Sequence, residues 1–195
     1  MSDDHSAVEA WLRAVVETSG LTALGLDDAR RVLLEDSLRA ADLFRDSDGP
    51  VVDVGSGGGA PGIPLAYALP RLEFVLLEAE RRKAEFLERF APANARVVWG
   101  RAEEQGVDWA GAALAKALAQ PPVAAEWCLP LVRPGGFAVL WVGERADVEH
   151  VERVASRLAA RLDEGPAGLL VLRKLAPTPP GFPRRTGVAR KRPLP

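Results

Sequence analysis

The stretch that decides the fold is Val51-Val52-Asp53-Val54-Gly55-Ser56-Gly57-Gly58-Gly59-Ala60-Pro61-Gly62-Ile63-Pro64. An apolar run meets an acid, then a glycine cluster, then two prolines. Val51 to Val54 reads as a short strand buried on both faces. Glycines directly after such a strand let the chain turn sharply and let a ligand approach the backbone. There is no Gly-Lys-Ser/Thr ending, so the loop is not an ATP-type phosphate loop.

Outward from this loop, strand and helix alternate. Gly62 to Leu69 reads as a helix, Leu72 to Leu77 as a strand, and Ala79 to Phe90 as a helix carrying Phe86, Leu87 and Phe90. Arg96 to Trp99 is a third strand. Ala112 to Leu118 is a fourth, although its alanines suit a helix equally well. Pro121-Pro122 opens a helix to about Val132. A strand from Gly136 to Val142 follows the turn Arg133-Pro134-Gly135. A helix then carries Val148, Val151, Val154, Leu158 and Leu162 on one stripe, and Ala167 to Leu175 is a last strand. Such alternation predicts a doubly wound, mostly parallel α/β sheet covered on both faces.

Two helices precede the sheet. Val8, Trp11, Leu12, Val15 and Val16 form the apolar face of the first, stopped at Ser19-Gly20. Asp27 and Asp28 read as caps of a second, near Ala29 to Phe44, with Leu34, Leu38 and Ala41 on one face. The expected organisation is an N-terminal helical extension (1–48), a core (49–176) and a basic Pro-rich arm without regular structure (177–195).

Of the 195 residues, 48% are hydrophobic, enough for a buried core. One cysteine, Cys128, leaves no disulfide framework and no multi-cysteine zinc site; it reads as a small buried apolar residue. The two histidines, His5 and His150, fall on helices and read as solvent-facing. No metal is expected. The N-terminus is acidic and polar, unlike a secretory signal, and no run is long enough to span a membrane. A soluble, cytoplasmic monomer is expected. The net charge of -2 conceals an asymmetry: beyond Glu164 lie seven positive residues and no acid, which leaves -9 on residues 1–164. A basic end on an acidic body suits a polyanionic partner.

The glycine loop admits two ligands. Gly55 to Ala60 fits the G-x-G-x-x-G/A dinucleotide fingerprint, and Asp53 to Gly59 fits the D-x-G-x-G-x-G loop of methyltransferases that use S-adenosylmethionine. Glu78, at the end of the second strand, suits ribose hydroxyls in either case. Three features favour the methyl donor. Asp53 at the strand end would repel a pyrophosphate and attract an amino group. Pro61 and Pro64 disturb the helix start that would bind phosphate. A second, substrate-binding domain of the dehydrogenase kind is also not expected. Glu103, after the third strand, would then accept from the adenine amine.

At these residues the chain resembles the bacterial small-subunit rRNA guanine-N7 methyltransferases, the family once called glucose-inhibited division protein B. Asp53 to Ala66 is similar to that family's D-V-G-S-G-x-G-x-P-G-I-P-L-A signature. Leu76-Leu77-Glu78, Gly100-Arg101-Ala102-Glu103-Glu104, Leu129-Pro130-Leu131-Val132-Arg133-Pro134-Gly135-Gly136 and Arg190-Lys191-Arg192-Pro193-Leu194 resemble further motifs. So do Leu21-Thr22-Ala23 and Asp36-Ser37-Leu38 upstream. The resemblance implies the class I, Rossmann-like methyltransferase fold. It implies methyl transfer to guanine N7 in the decoding-region loop of 16S rRNA, on the small ribosomal subunit. By family pattern Gly55, Ala60, Glu78, Ala102, Glu103 and Lys116 hold the donor, joined by Asp53 and Gly57 from the loop. Lys116 is the candidate charged group near the reaction centre, and no general base is required. Arg184, Arg185, Arg190, Lys191 and Arg192 would bind RNA phosphates.

The chain departs from the pattern at Gly20, at Val32-Leu33, at Ala60, at Gly111 and at Ala115-Lys116-Ala117. These departures, expected to cluster at the site, leave a catalytically silent RNA- or ribosome-binding relative as one alternative. A small nicotinamide-dependent oxidoreductase is a second.

Overall fold

A computed structural model describes residues 2–195; Met1, the first residue of the expected extension, lies outside them. The described residues form a seven-stranded sheet in the order β3-β2-β1-β4-β5-β7-β6. The strands are β1 (Val51–Val54), β2 (Phe74–Glu78), β3 (Ala95–Trp99), β4 (Ala110–Lys116), β5 (Val132–Trp141), β6 (Ala160–Asp163) and β7 (Leu169–Lys174). β1 to β5 run parallel, and β7 and β6 close the sheet antiparallel. The helices are α1 (Ser2–Glu17), α2 (Leu26–Ala29), α3 (Asp36–Leu38), α4 (Ala41–Phe44), α5 (Gly62–Ala68), α6 (Arg81–Glu88), α7 (Pro121–Cys128), α8 (Val148–Arg157) and α9 (Val188–Lys191).

Period-two alternation divides the sheet's side chains. Val52, Val54, Val75, Leu77, Ala113 and Leu140 pack with α7 and α8. Val51, Phe74, Leu114 and Val139 face α4 and α5, with Phe44 and Leu65 buried among them. Leu76 joins Trp11, Leu12, Ile63, Phe86 and Leu87, which sews α1, α5 and α6 together. The order reverses between β1 and β4, so a crevice opens at their carboxyl ends.

The alanine-rich segment is a strand, as expected: it lies between β1 and β5, and that setting overrides the helical preference of alanine. Several other expectations need correction. The helix opened by Pro121-Pro122 ends at Cys128, and Val132 already belongs to β5. Leu162 lies in β6, which has no counterpart among the expected strands. The second helix is broken. A π-helical segment, Arg30–Glu35, follows α2 and shifts the buried face to Ala29, Ser37, Ala40 and Phe44, leaving Leu38 exposed. Asp27 and Asp28 sit inside the first turn and cap nothing with their side chains; Gly25 is the cap. No helix is long and apolar enough to cross a membrane among the described residues.

Candidate functional site

A cavity of about 600 Å³ fills the crevice. Its floor is the bend from Gly55 to Gly58, and Glu78, Gly100 to Glu103 and Lys116 come from the ends of β2, β3 and β4. Gly55 and Gly57 have positive φ, 71° and 55°. A Cβ on Gly55 would stand 2.2 Å from Leu118 Cδ1, so with its positive φ this position favours glycine. The Gly57 N–H donates to Glu78 Oε2 (2.8 Å), and the Glu80 N–H donates to Glu78 Oε1 (2.8 Å). Each carboxylate oxygen keeps a lone pair for a ligand hydroxyl.

Asp53 is placed otherwise than expected. It is buried beneath the bend, outside the cavity lining, and its Oδ2 accepts the Gly62 N–H (3.0 Å). Burial pushes its carboxyl up to about 7, although the Gly62 N–H pulls the other way. This contact settles a further point. The Ile63 N–H donates to Gly59 O (2.7 Å), Pro64 has no N–H, and the Leu65 N–H donates to Pro61 O (3.2 Å). The start of α5 therefore has no free donors for a pyrophosphate, and the dinucleotide alternative loses its anchor.

Ala60, Ala102 and Glu103 line the cavity. Glu103 Oε1 accepts from Trp127 Nε1 and from the Gly187 N–H, both at 3.1 Å, while Oε2 has no partner among the described residues. Lys116 reaches the cavity but is engaged: its Nζ donates to Asp36 Oδ2 (2.6 Å) and to the Val32 carbonyl. Burial raises the Asp36 carboxyl, but Lys116 and Arg39 outweigh it and hold the group below the usual range.

The N-terminal extension supplies a wall that the sequence reading did not assign. Val15, Leu21, Thr22, Leu24, Val32 and Leu33 line the cavity. Trp11 Nε1 donates to Gly58 O (2.7 Å), Arg30 grips Glu9 through two 2.6 Å bonds, and Arg82 donates to Ser19 O (2.8 Å). The Leu21-Thr22 and Asp36-Ser37 motifs were the available signals. Trp127 and Leu118 gave none.

Of the departures from the family pattern, Val32, Leu33, Ala60 and Lys116 lie in the wall. Gly111 does not. It sits at the opposite end of β4, where a Cβ would stand 2.1 Å from Asp48 O. Glycine there is a packing requirement and not a lost active group, which corrects the expected clustering.

The basic end is also corrected. It carries α9 and lies against the body, with Ala189 and Leu194 buried. Arg184 forms a bidentate pair with the buried Glu126 (2.5 and 2.6 Å), so it is not free for phosphate. Arg173 pairs with Asp163, and the buried Lys174 meets Leu129 O, Thr178 and Asp108. Arg185, Arg190, Lys191 and Arg192 remain exposed, and Arg190 lines the cavity. His5 is exposed, whereas His150 Nε2 is bonded to Leu194 O (2.6 Å) and is not simply solvent-facing. Cys128 is buried, which pushes its thiol up and keeps it inert.

The sequence profile of GidB, described as rRNA small subunit methyltransferase G, matches residues 17–164. The chain belongs to the GidB family. A GidB relative from Rubrobacter xylanophilus, named Ribosomal RNA small subunit methyltransferase G, is 40% identical over 86% of this chain and 70% of its own. A namesake from Synechococcus sp. (strain JA-2-3B'a(2-13)) is 38% identical over 73% of this chain, and the match spans 63% of that relative's length. Among solved structures, the T. thermophilus 16S rRNA N2 G1207 methyltransferase in complex with AdoMet and guanosine superposes with TM-score 0.53 at 16% identity. That match covers 72% of this chain and 40% of the other. The antibiotic-resistance methyltransferase Kmr gives 0.53 at 14% identity over 69% and 91%. These two structures establish for the GidB chain a fold, the doubly wound methyltransferase sheet.

Proposed function

We propose that this chain transfers a methyl group from S-adenosylmethionine to N7 of a guanine in 16S rRNA, acting on the small ribosomal subunit as a cytoplasmic monomer. The observation that carries the reading is the cavity itself: a glycine-rich bend after β1, with carboxylates from the ends of β2 and β3 facing the same space. Its donors and acceptors fit the methyl donor. Glu78 suits ribose hydroxyls, and the open Oε2 of Glu103 suits an adenine amine. Lys116 spends two of its three N–H groups on Asp36 and Val32, which leaves one for the donor carboxylate. Gly55, Gly57, Ala60 and Ala102 let the ligand approach the backbone.

The bound donor supplies a methyl group activated on a sulfonium. The protein's part is to hold the two reactants in line and keep water out. Guanine N7 offers a lone pair and no proton, so the site needs no general base. That suits a cavity wall without histidine or cysteine, whose carboxylates are already hydrogen-bonded. The packing requirement at Gly111 weakens the catalytically silent alternative, because one of its motivating substitutions is explained by the fold.

The test has two arms. Calorimetry should show binding of the methyl donor and of its demethylated product. Small subunits lacking the modification should take up labelled methyl at guanine N7. Donor binding without uptake would favour the silent relative; tight binding of a nicotinamide cofactor instead would overturn both.

A further inference from the structure

Trp99 ends β3, the edge strand of the sheet, and is 61% exposed. Folded chains bury tryptophan on average. Val97, two residues earlier on the same face, does pack with Phe86 and Leu87 of α6. Trp99 instead lies beside the start of that helix. Its ring is held there and not loose. The Nε1–H donates to Ala79 O (3.1 Å), and the guanidinium of Arg81, the first residue of α6, lies over the ring at 5.4 Å from its centroid. With that much of the residue still open, the ring keeps surface for a second partner.

Charge and position indicate which partner. Residues 80–101 hold six cations and three acids, within a body whose residues 1–164 sum to -9. Arg81 pairs with Glu85 and Lys83 with Glu80, both at 2.9 Å. Such surface pairs are weak and yield to a stronger anion. Arg101 is exposed and makes no ion pair among the described residues. Glu103 and Glu104, next along the chain, are taken up by Trp127, Gly187 and Thr186. Gly100 and Arg101 line the cavity after β1, whereas Trp99 does not. The ring therefore stands on the rim, at the reacting end of the sheet but outside the donor's space. Bases splayed from an RNA loop stack on aromatic rings and guanidinium planes, and their phosphates take the neighbouring cations.

We propose that Trp99 is a stacking platform for an unpaired base of the rRNA outside the reaction site, with Arg81 and Arg101 on the flanking phosphates. The inference rests on the methyl-transfer reading and adds to it a grip on the RNA that touches neither donor nor acceptor. Every base has a π-face, so the platform supplies affinity and placement with little sequence preference.

The test measures binding of the full chain to small subunits lacking the modification, with hydroxyl-radical footprinting of their rRNA and calorimetry with the methyl donor. Trp99→Ala should weaken subunit binding about tenfold and lose protection over one short stretch of rRNA. Trp99→Phe, which keeps a ring, should restore most of both. Arg81→Gln should lower the salt slope of binding by about one. Donor affinity should match wild type in all three. Unchanged binding in Trp99→Ala, a loss that Trp99→Phe does not recover, or an equal loss of donor affinity would overturn the platform. So would weaker binding with the wild-type footprint intact, which would put a ribosomal protein on the ring in place of a base. Wild-type chain that binds the donor but leaves neither footprint nor methyl group on the subunit would instead overturn the methyl-transfer reading, and the platform with it.

Discussion

Burial lifts the Asp53 carboxyl from 3.8 to about 7, so the folded chain holds a proton there that the unfolded chain releases. The stability this proton brings is complete below about pH 4 and is lost as pH rises through 7. Asp53→Asn keeps an acceptor for the Gly62 N–H and abolishes the titration. Thermal unfolding should therefore show the wild type losing stability relative to Asp53→Asn between pH 4 and 8, by on the order of a few kcal/mol. A parallel pair of curves would refute the burial argument. Gly111 makes a second case. A Cβ there meets the Asp48 carbonyl at 2.1 Å and its carbon at 2.8 Å, both backbone atoms that yield only if the loop moves. Gly111→Ala should cost about 1–3 kcal/mol in chemical denaturation. It should leave the kcat of folded protein unchanged, because the cavity is at the other end of β4. The residue types at both positions were readable in the sequence. Their roles were not, since the side on which the Asp53 carboxylate turns depends on Gly62, nine residues on, and the space around Gly111 depends on the loop before β1.

Elements were legible where burial is local and periodic. β1, α1 and α5 follow directly from valine runs and i, i+3, i+4 spacing. The region from 26 to 44 was not, because the π-helical segment changes the period partway along and moves the buried face. Nothing local announces it. What accompanies it is a distant contact: Lys116, at the carboxyl end of the central strand β4, binds Asp36 and the Val32 carbonyl. The pair is largely enclosed, with side chains 12% and 29% exposed. Lys116→Ala leaves Asp36 to Arg39 alone and frees the carbonyl, so it should cost about 1–3 kcal/mol and loosen residues 30–38. Amide hydrogen exchange in that segment should accelerate, and donor affinity should fall, because Val32 and Leu33 wall the cavity. Exchange unchanged at 30–38 would show that the segment stands without its lysine.

For the whole molecule, the charge asymmetry was visible in the sequence, but its division of labour was not. Of the seven cations beyond Glu164, Arg173, Lys174 and Arg184 serve internal contacts, and a count of charges does not separate these from the free ones. Removing the whole end from residue 184 would confuse two effects, since it also orphans the buried Glu126 and uncovers the pockets of Ala189 and Leu194. Separate substitutions resolve them. Arg184→Ala leaves Glu126, 3% exposed, without its partner. It should destabilise by roughly 3 kcal/mol, read as a fall in Tm, with little change in the salt slope of RNA binding. Replacing Arg185, Lys191 and Arg192 together by Gln spares the cavity lining and the Glu126 pair. The slope of log K against log salt should then shrink by up to about 2, from lost phosphate contacts, while Tm and donor affinity hold. If the triple variant keeps the wild-type slope, the exposed end does not touch RNA, and the phosphate contacts must be sought at the exposed Arg101 in the cavity lining.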